Sequence, residues 1–141
     1  MENTNLYIDG DWVLSESQER FNVYNPADEK VLASVASAEI EDAEKAMDAA
    51  QAAFGPWAQK SARERAEVLR KAFDLMIDQR EKFARLITLE NGKAGADANG
   101  EAIYAAEFFR WFSEEAVRSE GIMSRGPSSN ARIMVQNKPA G

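Results

Sequence analysis

Apolar and polar residues first alternate over short stretches and then, from about position 39, recur every three or four positions. The alternation predicts strands between residues 6 and 36. Leu6-Tyr7-Ile8 and Trp12-Val13 flank Asp9-Gly10-Asp11, a hairpin turn in which glycine supplies the positive φ. Residues 21–24 form the next candidate, closed by Asn25-Pro26, because proline pushes the residue before it out of the helical region. Val31, Ala33 and Val35 alternate with Leu32 and Ser34, which predicts a further strand ending at Ala36.

Four helices are expected between residues 39 and 121. Ile40, Ala43, Met47, Ala50 and Phe54 make one helical stripe, with Gly55-Pro56 expected to end it. Ser61-Ala62-Arg63-Glu64 fits a capping box, and the helix it opens carries Ala66, Leu69, Phe73 and Met76 on one face. A third helix, from about residue 80 to 90, carries Phe83, Leu86 and Ile87, and Gly92 stands where a left-handed cap would end it.

The fourth helix, about residues 96–119, is apolar around most of its circumference. Tyr104, Phe108 and Trp111 form one stripe, and Ala102, Ala105, Phe109 and Phe112 another beside it. Glu107, Arg110 and Glu114 make the clear polar strip. Such a helix should be covered on two sides. The preceding helices can supply one cover, and something else must supply the other. After Gly121, Ile122-Met123 and Ile133-Met134-Val135 flank the polar turn at residues 126–130 as a hairpin-like tail. The expected fold class is α+β: short N-terminal strands, an antiparallel group of four helices, and C-terminal β-hairpin-like strands.

Charge and composition narrow the chemistry. With 17 basic residues against 24 acidic ones the net charge is −7, which argues against nucleic acid, since such partners need clustered Lys and Arg. The chain has no cysteine and no histidine, so it offers no disulfide, no thiolate and no His-ligated zinc. No apolar run reaches the roughly 18 residues of a membrane span. The start, Met1-Glu2-Asn3-Thr4-Asn5, is polar and unlike a signal peptide, so a cytoplasmic location is expected.

The carboxylates are scattered. Glu41-Asp42 and Glu114-Glu115 are adjacent pairs pointing to different helix sides, and they read as solvated surface. No G-x-G-x-x-G or P-loop pattern occurs. The Tyr104, Phe108 and Trp111 stripe reads either as core or as the wall of an apolar ligand channel. Glu90 falls at a predicted helix end, where a negative charge opposes the helix dipole. A compensating cation would explain it, and so would a frayed, solvated carboxylate.

The order of these signals resembles the N-terminal segment of the aldehyde dehydrogenase family along residues 6–141. Tyr7-Ile8-Asp9-Gly10-Asp11-Trp12 is similar to the family opening "I-G/D-G-x-W", and Asn25-Pro26-Ala27 to "N-P-A-T-G". Phe54 with Trp57 resembles "A-F-x-x-W", and Arg65 with Leu69 "R-x-x-x-L". Leu89-Glu90-Asn91-Gly92-Lys93 matches "L-E-N-G-K", and Lys138-Pro139-Ala140-Gly141 resembles "x-P-V-G". The run from Tyr104 to Glu115 looks most like the "Y-A-A-x-F-x-x-W-F-A-E-E" of succinate-semialdehyde dehydrogenases. Asp28-Glu29, Ala94-Gly95 and Ala140 depart from the family pattern and put only local geometry in doubt.

The resemblance implies an NAD- or NADP-dependent parent enzyme that oxidises succinate semialdehyde through a cysteine thiolate, with a glutamate-activated water releasing the acid. It places that cysteine, that glutamate and the main dinucleotide elements after the "x-P-V-G" motif. No catalytic or cofactor-binding residue is therefore assigned in these 141 residues, which alone are expected to be inactive and to bind the dinucleotide poorly. It also implies that residues 1–121 belong to the cofactor domain and residues 122–141 to the oligomerisation strands. The partners would then be the remainder of the enzyme and sister subunits of a homo-oligomer. Tyr104, Phe108 and Trp111 would flank the substrate tunnel. Glu90 and the carbonyls of Val23 and Tyr24 would hold a structural monovalent cation. The rival reading is a self-sufficient acidic helical interaction module.

Overall fold

The computed structural model describes residues 4–119 and 121–140. The polar start at Met1, Glu2 and Asn3, and the last glycine of the terminal motif, Gly141, lie outside the described residues. In chain order the elements are β1 (Leu6–Ile8), β2 (Asp11–Val13), β3 (Arg20–Tyr24), β4 (Val31–Ala36), α1 (Ile40–Gln59), α2 (Ala62–Asp78), α3 (Arg80–Asn91), α4 (Gly95–Ala116), β5 (Ile122–Arg125) and β6 (Arg132–Val135). The expected order of strands, four helices and hairpin is present. The strands pair as antiparallel neighbours, β1 with β2, β3 with β4 and β5 with β6.

Turn chemistry sets these pairs. Asp9 (φ 51°) and Gly10 (φ 89°) make a two-residue turn with positive φ at both positions, which matches the right-handed twist of the strands it joins. Tyr7 stands opposite Trp12, with ring centroids 5.1 Å apart. Between β3 and β4, the Asn25 side chain accepts from the Ala27 amide at 2.9 Å, and the Asn25 carbonyl from the Glu29 amide at 2.7 Å. The ladder shifts register between Val23 and Tyr24. The Arg20 guanidinium joins Asn5 Oδ1 (3.1 Å) to the Ser34 carbonyl (2.6 Å), so the N-terminal segment is tied to this second hairpin.

The helix termini follow their predicted caps where the cap is chemical. Ser61 Oγ accepts from the Glu64 amide at 3.2 Å, and Glu64 Oε2 accepts from the Ser61 amide at 2.9 Å. Hydrogen bonds from Ser61 hold the Glu64 carboxyl below its ordinary range. Gly92 ends α3 in the left-handed conformation, φ 78°, and its amide donates to the Thr88 carbonyl. Two ends differ from expectation. α1 runs through Gly55-Pro56 to Gln59. Pro56 deprives only the Ala52 carbonyl of a donor, and both residues are exposed, so water can replace that bond. α4 stops at Ala116 rather than near 119, closed by a bond from the Arg118 amide to the Glu115 carbonyl.

The helices form a group of three rather than four. α4 packs against α2 and α3, whereas α1 leans chiefly on β1. Ala66, Leu69, Phe73 and Met76 of α2 face inward as expected, as do Phe83, Leu86 and Ile87 of α3. The expected stripe of α1 does not: Ile40, Ala43, Met47 and Ala50 are exposed, and only Phe54 is half-buried. What α1 buries is a carboxylate. Asp42 is 3 % exposed, and it accepts the Glu39 amide at 2.9 Å and the Glu16 amide at 3.2 Å. Its reading as solvated surface is thereby corrected. Asp42 occupies the third helical position, where it satisfies an orphan amide of its own helix while pinning the loop after β2. Beside it, Lys45 pairs with Glu16.

Asp42→Ala should therefore lower chain stability by about 2 kcal/mol, because two amides lose a charged acceptor. Asp42→Asn, which keeps one oxygen, should recover part of that loss. Urea midpoints of the two variants check this, and equal midpoints for alanine and wild type would remove the role.

The interior is small. Its buried apolar residues are Ala66, Ala84, Ala98, Ala102 and Ala106. The surface of 10863 Å² is about half as large again as the roughly 7,300 Å² that a compact monomer of this length exposes. Among the described residues no helix is long and apolar enough to cross a membrane.

Candidate functional site

α4 is a two-faced helix, and its inner face is made of small residues. Ala98, Ala102 and Ala106 step by four and are buried, and Ser113 continues the line with its hydroxyl donating to the Arg110 carbonyl at 2.6 Å. Small side chains let α4 lie close against α2 and α3. Tyr104 stands about 200° around the helix from Ala106, and Trp111 about the same from Ser113. Close packing of the alanines therefore turns the aromatic rings outward.

The outer face is a continuous apolar surface. Tyr104 is 66 % exposed, Phe108 48 % and Trp111 63 %. With Glu107 and Phe112 they line a shallow cavity of about 370 Å³. Tyr104 and Phe108 meet edge to face, ring centroids 5.0 Å apart, a favoured geometry for aromatic pairs. The second predicted stripe divides: Ala102 is buried and Ala105 half-buried, while Phe109 and Phe112 are exposed. Of the two readings of the aromatic stripe, plain core is excluded within this chain.

The predicted polar strip borders α2. The Arg110 guanidinium lies 5.5 Å from the Phe73 ring centre and pairs with Glu107 at 2.6 Å. Arg70 approaches the same ring at 5.2 Å. Glu114 lines a cleft with Arg63, Glu67 and Arg70 of α2. Arg63 pairs with Glu67, Arg70 with Asp74 and Arg110 with Glu107, so this seam is lined largely by charges paired along each helix.

The second candidate region lies at the other end of the helical group. A Cβ at position 92 would sit 3.1 Å from Pro26 Cγ, so the end of α3 touches the loop that leaves β3. Gly92 and Pro26, far apart in the chain, thus meet in the fold, two residues from Glu90 on one side and from Tyr24 on the other. Glu90 is exposed there, Val23 is half-buried and Tyr24 exposed. The register shift at Val23 and Tyr24 interrupts the regular ladder at the two carbonyls in question. Lys93 turns to Glu101 of α4 at 2.5 Å, consistent with Gly92-Lys93 being a helix stop and not a phosphate cradle. Among the described residues no group of three or more acidic, Cys or His side chains gathers for a metal.

Gly92→Ala tests the meeting of these two segments. The left-handed backbone costs a non-glycine residue about 1 kcal/mol, and the Pro26 contact must also yield. The expected loss is about 1–2 kcal/mol, read from the urea midpoint, and is partly relieved by adding Pro26→Ala. An additive double variant would separate the two positions.

Comparison with known proteins places this geometry. The family profile "Aldehyde dehydrogenase family" matches residues 12–141. A succinate-semialdehyde dehydrogenase of Paenarthrobacter nicotinovorans is 52 % identical over 111 residues, covering 79 % of this chain and 25 % of that protein. The succinate-semialdehyde dehydrogenase [NADP(+)] of Escherichia coli (strain K12) is 38 % identical over 146 residues, covering 100 % of this chain and 30 % of that protein. The crystal structure of succinate-semialdehyde dehydrogenase from Burkholderia pseudomallei superposes with a TM-score of 0.87 at 39 % identity, over 94 % of this chain and 27 % of that one. The chain thus spans between a quarter and a third of the length of the relatives it matches, and its α+β arrangement is a portion of their fold. The chain belongs to the aldehyde dehydrogenase family.

Proposed function

We propose that these residues are the N-terminal portion of a nicotinamide-dependent dehydrogenase that oxidises succinate semialdehyde or a closely similar aldehyde to the acid. The observation that carries the reading is the outward aromatic face of α4. Its sequence has the succinate-semialdehyde pattern, and in this chain it has no cover. In the working enzyme Tyr104, Phe108 and Trp111 flank the substrate tunnel. Their contribution is to exclude water and hold the aldehyde's apolar carbons while reacting groups elsewhere act on its carbonyl.

Residues 1–121 then belong to the cofactor domain and residues 122–141 to the strands that join sister subunits of a homo-oligomer. The cofactor is NAD or NADP. The residues present do not fit it by themselves, because no glycine-rich turn leads into a helix N-terminus here. The chain has no cysteine, so it contains no thiolate to attack the aldehyde. Glu90, with the carbonyls of Val23 and Tyr24, holds a monovalent cation that also offsets the acidic charge at the end of α3. The enzyme works in the cytoplasm. A self-contained interaction module is the weaker reading, since a finished module would not leave so large an apolar surface open.

Two measurements test the proposal. The 141 residues alone should give no aldehyde-dependent reduction of NAD+ or NADP+. The same residues, exchanged for the matching segment of the Paenarthrobacter relative, should support turnover of succinate semialdehyde. A folded hybrid that oxidises no aldehyde, or turnover by the isolated chain, would defeat it.

A further inference from the structure

We infer that the 141-residue chain can dock in trans onto the part of the aldehyde dehydrogenase fold that it does not contain, supplied as a separate polypeptide. The inference rests on the proposed function for its choice of partner. Its physical basis is the amount and placement of uncovered surface.

A standard protein interface shelters about 800 Å² on each partner. The surface here exceeds that of a compact monomer by several times that amount. A second copy of the chain is therefore a poor occupant. A two-fold pair shelters one self-complementary patch, and the apolar surface here faces more than one way. Ile122, Ile133 and Val135 lie on one face of the β5–β6 hairpin, while Met123 and Met134 lie on the opposite face. All five are exposed, in addition to the aromatic face of α4. One flat contact cannot cover both sides of a two-stranded ribbon. The occupant must present more than one surface, as the remainder of the fold does together with the sister subunits that the β5–β6 strands would join.

The backbone is already set for such a partner. A TM-score of 0.87 over 94 % of the chain means that these elements hold the arrangement they have inside a complete relative. Docking then needs little reorganisation, which removes a main cost of association.

The experiment co-expresses this chain with the Paenarthrobacter relative from which the matching quarter of its length has been deleted. A stoichiometric complex by size exclusion with light scattering is expected, together with loss of the apolar-dye fluorescence that the chain alone should show. Phe108→Asp should weaken association by about 30-fold or more, as expected for a charge placed at a buried anchor. Failure to co-purify overturns the inference. So does a chain that by itself is a closed monomer or dimer and binds no dye, a result independent of whether the shortened relative folds. A complex that forms without oxidising aldehyde supports docking and removes the functional reading. An active single-chain hybrid with no complex in trans does the reverse.

Discussion

Replacing Ala106 by leucine is expected to unfold the packing of α2, α3 and α4. Ala106 has no exposed surface, and Ala102 and Ala98, one and two turns before it, are buried with it. The larger inward residues of α2 and α3, Leu69, Phe73, Met76 and Leu86 among them, are only half-buried, so the tightest part of the seam is the alanine ridge. An isobutyl group at the closest approach must push α4 off its neighbours. Overpacking of this kind costs about 1–3 kcal/mol in a well-filled core. Here the loss is felt more strongly, because the larger inward side chains are only half-buried and contribute little burial to offset it. The urea midpoint should fall steeply or the cooperative transition should vanish. Ala96→Leu, at an exposed position of the same helix, should change the midpoint by less than about 0.5 kcal/mol. Equal midpoints for the two variants would mean that the alanine ridge is not the seam.

That ridge was the part of α4 least legible in the sequence. A period of three and four identifies a stripe, but it does not say which stripe lies inward when most of the circumference is apolar. Ring size drew the eye to Tyr104, Phe108 and Trp111. The packing is decided by the small residues, because helices approach closely only where side chains are short. Chemistry carried by a few atoms was easier to read. Asp9-Gly10, Ser61 with Glu64, and Gly92 each specify a local geometry without tertiary help, and each stands where it was expected. Asp42 had a signal that composition obscured. It lies three positions after Glu39 at a helix start, the spacing of a reciprocal cap, but the neighbouring Glu41 made the pair look like surface. Pro56 misled for the opposite reason. A proline ends a helix only where the lost bond cannot be replaced, and near an exposed terminus it can.

The meeting of Gly92 with Pro26 could not be read from either segment. The motif resemblance joined Glu90 to Val23 and Tyr24 by analogy alone. The fold brings Gly92 against Pro26, since the left-handed turn after α3 lets the chain pass the proline of the β3–β4 loop. The division into residues 1–121 and 122–141 is an expectation from resemblance alone, since no proline- or serine-rich linker marks residue 121.

The converse of the Ala106 experiment is the triple change of Tyr104, Phe108 and Trp111 to serine. In the isolated chain it should shift the urea midpoint by no more than about 1 kcal/mol, since the three rings are about half to two-thirds exposed and support little of the core. Dye fluorescence and self-association should fall sharply at the same time, because this face is the broadest aromatic surface of the chain. In the full-length hybrid the same change should be severe. Each ring that becomes covered there contributes roughly 1.5–3 kcal/mol of burial, and losing three at once exceeds what most domains can spare. The contrast matters more than either value. If the rings were part of a finished local core, the isolated chain would unfold first and the hybrid would fare no worse. If they are a surface made for polypeptide outside these residues, the isolated chain survives the substitution and the larger assembly does not.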